Sequence, residues 1–109
     1  MPDVVSPARV AASLTELWSP RVVAEIDDSY VKVAKVHGTL TWHSHDDEDE
    51  LFYILKGTLA IEMADRTVVL HEGESFVVPK GVRHRTRAPQ RTVMLMVEGE
   101  EIVPTGDPP

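Results

Sequence analysis

Hydrophobic and polar residues alternate with two different periods along the chain. Before residue 20 the apolar positions Val10, Leu14 and Leu17 recur at the spacing of a helix. Ser6 and Pro7 are residue types that favour the start of a helix, and a proline at position 20 ends the run. The pattern therefore predicts one short helix within the first 20 residues.

After residue 20 the period changes to two, and β-branched residues become frequent. Turn-forming residues separate the alternating segments, so the pattern predicts many short strands. The predicted strands cover residues 21–26, 30–36, 40–43, 50–56, 58–63, 67–70, 76–78, 83–87 and 92–97. Short strands at regular spacing are typical of an antiparallel sandwich or barrel, so we expect an all-β fold with one N-terminal helix.

The 109 residues are enough for one domain with a sizeable core. We expect three parts: a helical segment over residues 1–20, a β-barrel over 21–103, and a proline-rich flexible tail over 104–109. We find no internal repeat.

Composition and charge exclude several classes of function. Eighteen acidic residues against eleven basic ones give a formal net charge of −7, which argues against binding to nucleic acid or to an anionic membrane surface. The chain has no cysteine, which excludes disulfides and thiolate metal sites. No apolar run approaches the roughly 20 residues of a membrane span, and the N-terminus does not resemble a signal peptide. We therefore expect a cytoplasmic protein.

Histidines and carboxylates are concentrated in two segments. His43 and His45 are two residues apart, which places both imidazoles on one side of a strand. An acidic run over residues 46–50 follows, and a Pro-Lys-Gly turn over 79–81 precedes His84. Three imidazoles and a carboxylate suit a divalent transition metal (Mn, Fe, Co, Ni or Zn) and leave coordination positions for a substrate.

These two segments resemble the two signature motifs of the cupin superfamily. The first motif runs from Gly38 through His-x-His, three or four residues, a glutamate and six residues to Gly57. The second runs from Gly73 through Pro-x-Gly to His84 and ends at Ala88, where the family pattern has asparagine. The spacer after Gly38 is one residue short. Together the motifs span residues 38–88, about half of the chain.

The resemblance implies an antiparallel β-barrel of the double-stranded β-helix (jelly-roll) type, with a metal ion inside its mouth. Carried over position by position, the implied ligands are His43, His45, Glu50 and His84. Asp49 is the alternative to Glu50. We prefer Glu50 because it lies six residues before the closing glycine, and because a slip of one residue would turn the side chain to the other face.

Other side chains are candidates for a substrate pocket beside the metal. We expect it to be lined by residues that share strand parity with the histidines or that form an apolar wall, although Phe and Met at such positions are more often plain core. The candidates are Thr41, Phe52, Ile54, Phe76, Thr86, Met94 and Met96.

The remaining polar and aromatic residues fit simpler roles. We expect His37 and His71 at the surface, residues 46–49 in a solvated loop that adds negative potential near the metal, and Trp18 at a dimer interface. The alternating arginines at 83, 85 and 87 fit an exposed stripe paired with acids or a gate for an anionic substrate.

The implied function is metal-centred chemistry on a small oxygenated metabolite. A Lewis-acid metal suits an isomerase or epimerase, with Glu50 as a possible base, and a redox metal suits a dioxygenase. The alternative is a metal- or ligand-binding module for sensing or storage without catalysis, and a cupin without metal is a third hypothesis. The resemblance also implies a homodimer whose other partners are small molecules.

Overall fold

The computed structural model describes residues 2–99 and shows one helix and seven strands. The predicted tail over 104–109 and the end of the predicted barrel over 100–103 lie outside the described residues. Helix α1, Pro7–Ala12, is shorter than predicted. Ser6 caps its N-terminus, since the Ser6 hydroxyl accepts the Arg9 N–H at 3.3 Å. Lys35 Nζ donates to the carbonyls of Ala12, the last residue of the helix, and of Leu14. The helix has 6 residues, far fewer than the roughly 20 of a membrane-spanning helix.

Antiparallel strands build the rest of the described chain. The strands are β1 (Arg21–Ile26), β2 (Ser29–Thr39), β3 (Glu50–Lys56), β4 (Leu59–Met63), β5 (Thr67–Leu70), β6 (Ser75–Val78) and β7 (His84–Gly99). The strand order is β1-β2-β7-β3-β6, and β4 pairs with both β5 and β7. The all-β prediction with one short helix is confirmed.

Strand β7 organises the sheet because it pairs with three other strands. Its first residues, from His84 to Arg87, pair with β4, and its second half pairs with β3 on that side. Strand β2 pairs with β7 along its other edge, and the register of this pairing shifts between Val36 and Gly38. The two strands predicted over 83–87 and 92–97 are therefore one strand of 16 residues, since pairing with β2 continues on both sides of the break.

The segment over residues 40–43, predicted as a strand, is not one. It meets the start of β7 through a single bridge, in which His43 and His84 exchange N–H to carbonyl hydrogen bonds of 2.9 and 2.8 Å. The Leu40 N–H also donates to the Thr86 carbonyl at 3.0 Å. Backbone pairing therefore fixes this loop against β7 and brings two of the histidines side by side.

The main core is built from buried residues of strands β2 to β7. Ile54, Leu59 and Ile61 are fully buried there with Val36 from β2. A second, smaller cluster of Ala11, Leu14 and Val33 holds the helix against the sheet. Burial on this scale is the main stabilising term for a domain of this size, and it gives the polar site described next a rigid frame.

Candidate metal centre

Four side chains of types that bind metal ions meet in the interior of the fold. His43 and His45 come from the loop before β3, Glu50 is the first residue of β3, and His84 is the first residue of β7. One donor atom from each lies within 4.8 Å of the donors of the other three. All four residues are buried. The structure thus brings together the four residues that the sequence motifs single out.

The distances between these donors suit a first-row metal ion. Glu50 Oε1 lies 3.6 Å from His45 Nε2 and 3.4 Å from His84 Nε2. An ion that binds nitrogen and oxygen at about 2.0–2.2 Å needs donors about 3–4 Å apart. Glu50 Oε1 and His84 Nε2 are buried and have no hydrogen-bond partner among residues 2–99. A cation bound between these two buried atoms would give each of them the partner that the described part of the protein does not supply.

Backbone carbonyls fix two of the imidazole rings. His43 Nδ1 donates to the Thr41 carbonyl at 2.7 Å, and His84 Nδ1 donates to the Val82 carbonyl at 2.9 Å. Because a carbonyl oxygen can only accept, Nδ1 carries the proton in each ring and Nε2 keeps its lone pair. A metal-binding histidine is commonly oriented by such a bond from its other nitrogen.

Burial also sets the protonation states that metal binding requires. It lowers the pKa of His43 and of His84, which favours the neutral imidazole. It raises the pKa of Glu50, against the opposing influence of Glu98 and Lys32 nearby. A divalent ion at this place would offset the cost of burying the Glu50 carboxylate.

Residues 46–49 of the acidic run and the other two histidines lie outside this cluster. Asp49, the alternative to Glu50, is exposed, and its Oδ1 accepts the Lys80 N–H at 2.9 Å. Residues 46–48 are exposed as well, as are His37 and His71. His71 contacts Glu74 at 3.0 Å. Strand parity therefore separates Glu50, which faces inward, from the residue before it.

A cavity of about 130 Å³ adjoins the His43, His45, Glu50 and His84 cluster. Its wall is mostly apolar, and His43 and Glu50 form part of it. The lining residues are Trp18, Pro20, Ala34, Val36, Leu40, His43, Glu50, Phe52, Thr86, Met94, Met96 and Glu98. Four of the predicted pocket residues, Phe52, Thr86, Met94 and Met96, are among them.

Three predicted pocket residues lie elsewhere. Ile54 is fully buried in the core, because the cavity ends at Phe52 along β3. Phe76 is half-buried against the core, with the Arg66 guanidinium 5.7 Å from its ring centre. Thr41 is exposed, since its segment is not a strand and strand parity does not apply to it. It serves the site through its carbonyl, which orients His43.

Glu98 is a residue of this cavity that the sequence analysis did not single out. It is 4% exposed, and its Oε1 forms an ion pair of 2.9 Å with Lys32 Nζ. Burial, and then the neighbouring Glu50 carboxyl, raise the pKa of Glu98 to about 8. The signal was present in the sequence, because Glu98 continues the period-two face of Met94 and Met96.

Trp18, expected at a dimer interface, lies in the cavity wall. Its backbone has a φ of 58°, a conformation rare for a large residue. Two hydrogen bonds hold it there: its N–H donates to the Lys35 carbonyl at 2.8 Å, and its Nε1 donates to the His37 carbonyl at 3.1 Å. These hydrogen bonds tie residue 18 to β2, and the helix therefore does not extend to Leu17 as the spacing of apolar residues predicted.

The arginine stripe lies on the outside. Arg85 Nε lies 2.6 Å from Glu62 Oε2, Arg87 Nε lies 3.6 Å from Glu62 Oε1, and the guanidinium groups of Arg83 and Arg85 lie over the Trp42 ring. None of the three arginines lines the cavity. The contacts of Arg85 and Arg87 with Glu62 fit the exposed stripe paired with acids.

Comparison with known proteins places the chain among similar domains. A family model described as a cupin domain matches residues 29–98. The uncharacterised protein YdbB of Bacillus subtilis (strain 168) is 44% identical over 93 residues, which cover 84% of this chain and 82% of that protein. A cupin-2 domain protein of Shewanella frigidimarina has a crystal structure with 37% identity and a TM-score of 0.86, covering 89% of this chain and 95% of its own. A Neisseria meningitidis protein structure has 26% identity and a TM-score of 0.82, covering 90% of this chain and 100% of its own.

Proposed function

Because the chain belongs to the cupin domain family, we propose that it is a metal-dependent enzyme acting on a small oxygenated molecule. One divalent ion (Mn, Fe, Co, Ni or Zn) would be held by His43, His45, Glu50 and His84. The substrate would bind in the cavity beside it.

The main observation behind this proposal is that the candidate metal site and the cavity have residues in common. His43 and Glu50 belong both to the four-residue cluster and to the cavity lining. Structural metal sites are closed by protein ligands, whereas catalytic sites keep a side open to substrate. The arrangement of this chain matches the second kind.

The protein's own contribution is to bind, orient and exclude water. The bonds from His43 and His84 to backbone carbonyls keep their Nε2 atoms directed at the centre. The apolar wall, with Phe52 and Met96, limits access of water to the bound molecule. When bound, the ion supplies either Lewis-acid polarisation of a carbonyl, which suits isomerisation or epimerisation, or redox activation of O₂, which suits dioxygenation.

The experiment is elemental analysis of the purified protein, with His84→Ala and His71→Ala beside it. We expect about one metal ion per parent chain, a large loss in His84→Ala, and no loss in His71→Ala, because His71 lies outside the cluster. Circular dichroism checks that both variants fold. Equal metal content in all three proteins would contradict the proposed site.

Turnover assays then separate the reaction classes. Oxygen consumption with the metal-loaded protein indicates a dioxygenase, and carbonyl isomerisation without oxygen uptake indicates an isomerase. Full metal loading without turnover of any carbonyl or phenolic substrate would contradict the enzyme proposal and support the metal- or ligand-binding module instead.

A further inference from the structure

Two buried polar atoms of the cavity wall belong to residues outside the four-residue metal cluster. They are Thr86 Oγ1 and Glu98 Oε2, and neither has a hydrogen-bond partner among residues 2–99. Thr86 is 2% exposed and Glu98 is 4% exposed. Folded proteins pair nearly all such atoms, so two unpaired atoms in one cavity point to a ligand that pairs them.

The fold itself does not account for these two groups. Thr86 lies on β7 opposite Ile61, where a valine of nearly the same shape would fill the same space without a hydroxyl. Glu98 is anchored through its other oxygen by Lys32, whose side chain is only 12% exposed. A buried ion pair of this kind costs desolvation and is a weak source of stability. Its clear effect is to hold Glu98 in place beside the Glu50 carboxyl, with Oε2 at the cavity and without a hydrogen-bond donor among residues 2–99.

The size and charge of the cavity limit what can bind there. An engineered protein cavity of about 150 Å³ binds benzene, so a cavity of about 130 Å³ suits a molecule of similar or smaller size. A polyol would place hydroxyls against the apolar wall without partners. Outside the four metal ligands, the cavity lining among residues 2–99 has no lysine or arginine that could pair with a ligand carboxylate, and its one titratable residue is the acid Glu98. The lining therefore favours a neutral molecule over a carboxylate.

A hydroxyl is the group that satisfies both atoms. It can accept a hydrogen bond from Thr86 Oγ1 and at the same time share one with the Glu98 carboxyl. Because the cavity is small, this hydroxyl must lie close to the atom that faces the metal-binding side chains. On the basis of the proposed metal site, we propose that the ligand is a compact neutral α-hydroxy ketone or aldehyde, whose hydroxyl is recognised by Thr86 and Glu98 and whose carbonyl faces the four metal ligands.

The test compares two probes of the same shape, acetoin and 3-methyl-2-butanone, which differ by a hydroxyl in place of a methyl group. The protein is the full chain loaded with Zn²⁺ and carrying Trp42→Phe. Of its two tryptophans, this leaves Trp18, in the cavity wall, as the fluorescent reporter. We expect acetoin to change the Trp18 emission and to bind at least about tenfold more tightly than the methyl analogue, because a buried polar site discriminates against a partner without the hydroxyl.

Variants of the two residues show whether they cause this preference. Thr86→Val and Glu98→Gln are each expected to reduce the preference for acetoin to about twofold or less, and Thr86→Ser, which keeps a hydroxyl, is expected to restore most of it. Thr86→Val is also expected to leave the melting temperature unchanged or higher, since it removes an unpaired buried hydroxyl. A hydroxyl that served only the fold would give the opposite stability change.

The outcomes separate this inference from the proposed function. Equal binding of both probes to a zinc-loaded parent, or an unchanged preference in both Thr86→Val and Glu98→Gln, overturns the hydroxyl subsite and leaves the metal site standing. A parent that takes up no zinc contradicts the metal site. In that case the probes are compared on the metal-free protein, where the subsite still requires a preference for acetoin, because neither residue is a metal ligand.

Discussion

Replacing Gly57 with alanine tests why the first motif ends in glycine. Gly57 connects β3 to β4 and has a φ of 93°, in the region that disfavours residues with a Cβ. A Cβ built there would lie 2.5 Å from Thr92 Oγ1 and 3.0 Å from the Arg91 carbonyl oxygen. Gly57→Ala therefore forces β7 away from this corner as well as straining the turn.

The cost follows from the contacts that must change. The left-handed backbone costs an alanine about 1–2 kcal/mol. The Thr92 hydroxyl, in a fully buried residue, accepts the Thr58 N–H at 3.2 Å and lies 3.0 Å from the Thr58 carbonyl, to which it can donate. Losing such bonds costs about 0.5–1.5 kcal/mol each. We expect Gly57→Ala to lower the free energy of unfolding by about 2–5 kcal/mol, a large share of the roughly 5–15 kcal/mol of a typical domain.

Gly73→Ala is the matched control. Gly73 has a φ of 81°, but no heavy atom lies within 4 Å of a Cβ built on it. It should therefore lose only the backbone contribution of about 1–2 kcal/mol. Urea unfolding of the two variants and the parent, all in the presence of a chelator, measures the difference. If Gly57→Ala destabilises the protein no more than Gly73→Ala does, the steric argument for this corner is refuted.

Three further predictions concern the site and its surroundings. Zn²⁺ at about 100 times its dissociation constant should stabilise the parent by about 2.7 kcal/mol and raise its melting temperature by about 11–22 °C. Most of this shift should be absent in His84→Ala but present in His71→Ala; a full shift in His84→Ala contradicts the ligand set. Ile54→Ala should lower the free energy of unfolding by about 2–5 kcal/mol while the metal content stays unchanged, since Ile54 belongs to the core; metal loss in a folded Ile54→Ala protein would show otherwise. The pKa of Glu98 is raised from 4.5 to about 8, so between these pH values the folded state binds more protons than the unfolded state. The stabilising contribution of Glu98 is therefore complete below pH 4.5 and is lost as the pH rises through about 8. The pKa values of His43 and His84 are lowered from 6.5, so their titration affects stability mainly below pH 7. Chelator-treated protein should therefore lose stability from pH 7 to 8, and Glu98→Gln should flatten this fall; an equally steep fall in Glu98→Gln contradicts the assignment.

The sequence predicts the parts of the site that depend on local periodicity. Glu50 could be preferred to Asp49 because one residue of shift changes the face of a strand, and the structure has Glu50 buried and Asp49 exposed. The positions of His43 and His45 were expected from strand parity, but the two residues lie in a loop. They converge because the loop pairs with His84, a contact far apart in sequence that no local pattern contains.

The parts that were missed depend on tertiary contacts in the same way. Trp18 leaves the helical pattern because it bonds to β2, whose residues follow it by 17 to 19 positions. Glu98 lies in a C-terminal segment rich in glutamate, which by composition indicates a solvated surface. Strand parity places Glu98 on the inward face of Met94 and Met96, but its partner Lys32 is brought to it only by the pairing of β2 with β7.

The most direct test of the metal site is a crystal structure of the zinc-loaded protein with anomalous diffraction at the zinc edge. We expect one strong anomalous peak per chain, at about 2.0–2.2 Å from a nitrogen of each of His43, His45 and His84 and from a carboxylate oxygen of Glu50, with one side of the ion facing the cavity. A peak on the exposed acidic residues 46–49 instead, or no peak inside the barrel of a fully loaded crystal, would contradict the account.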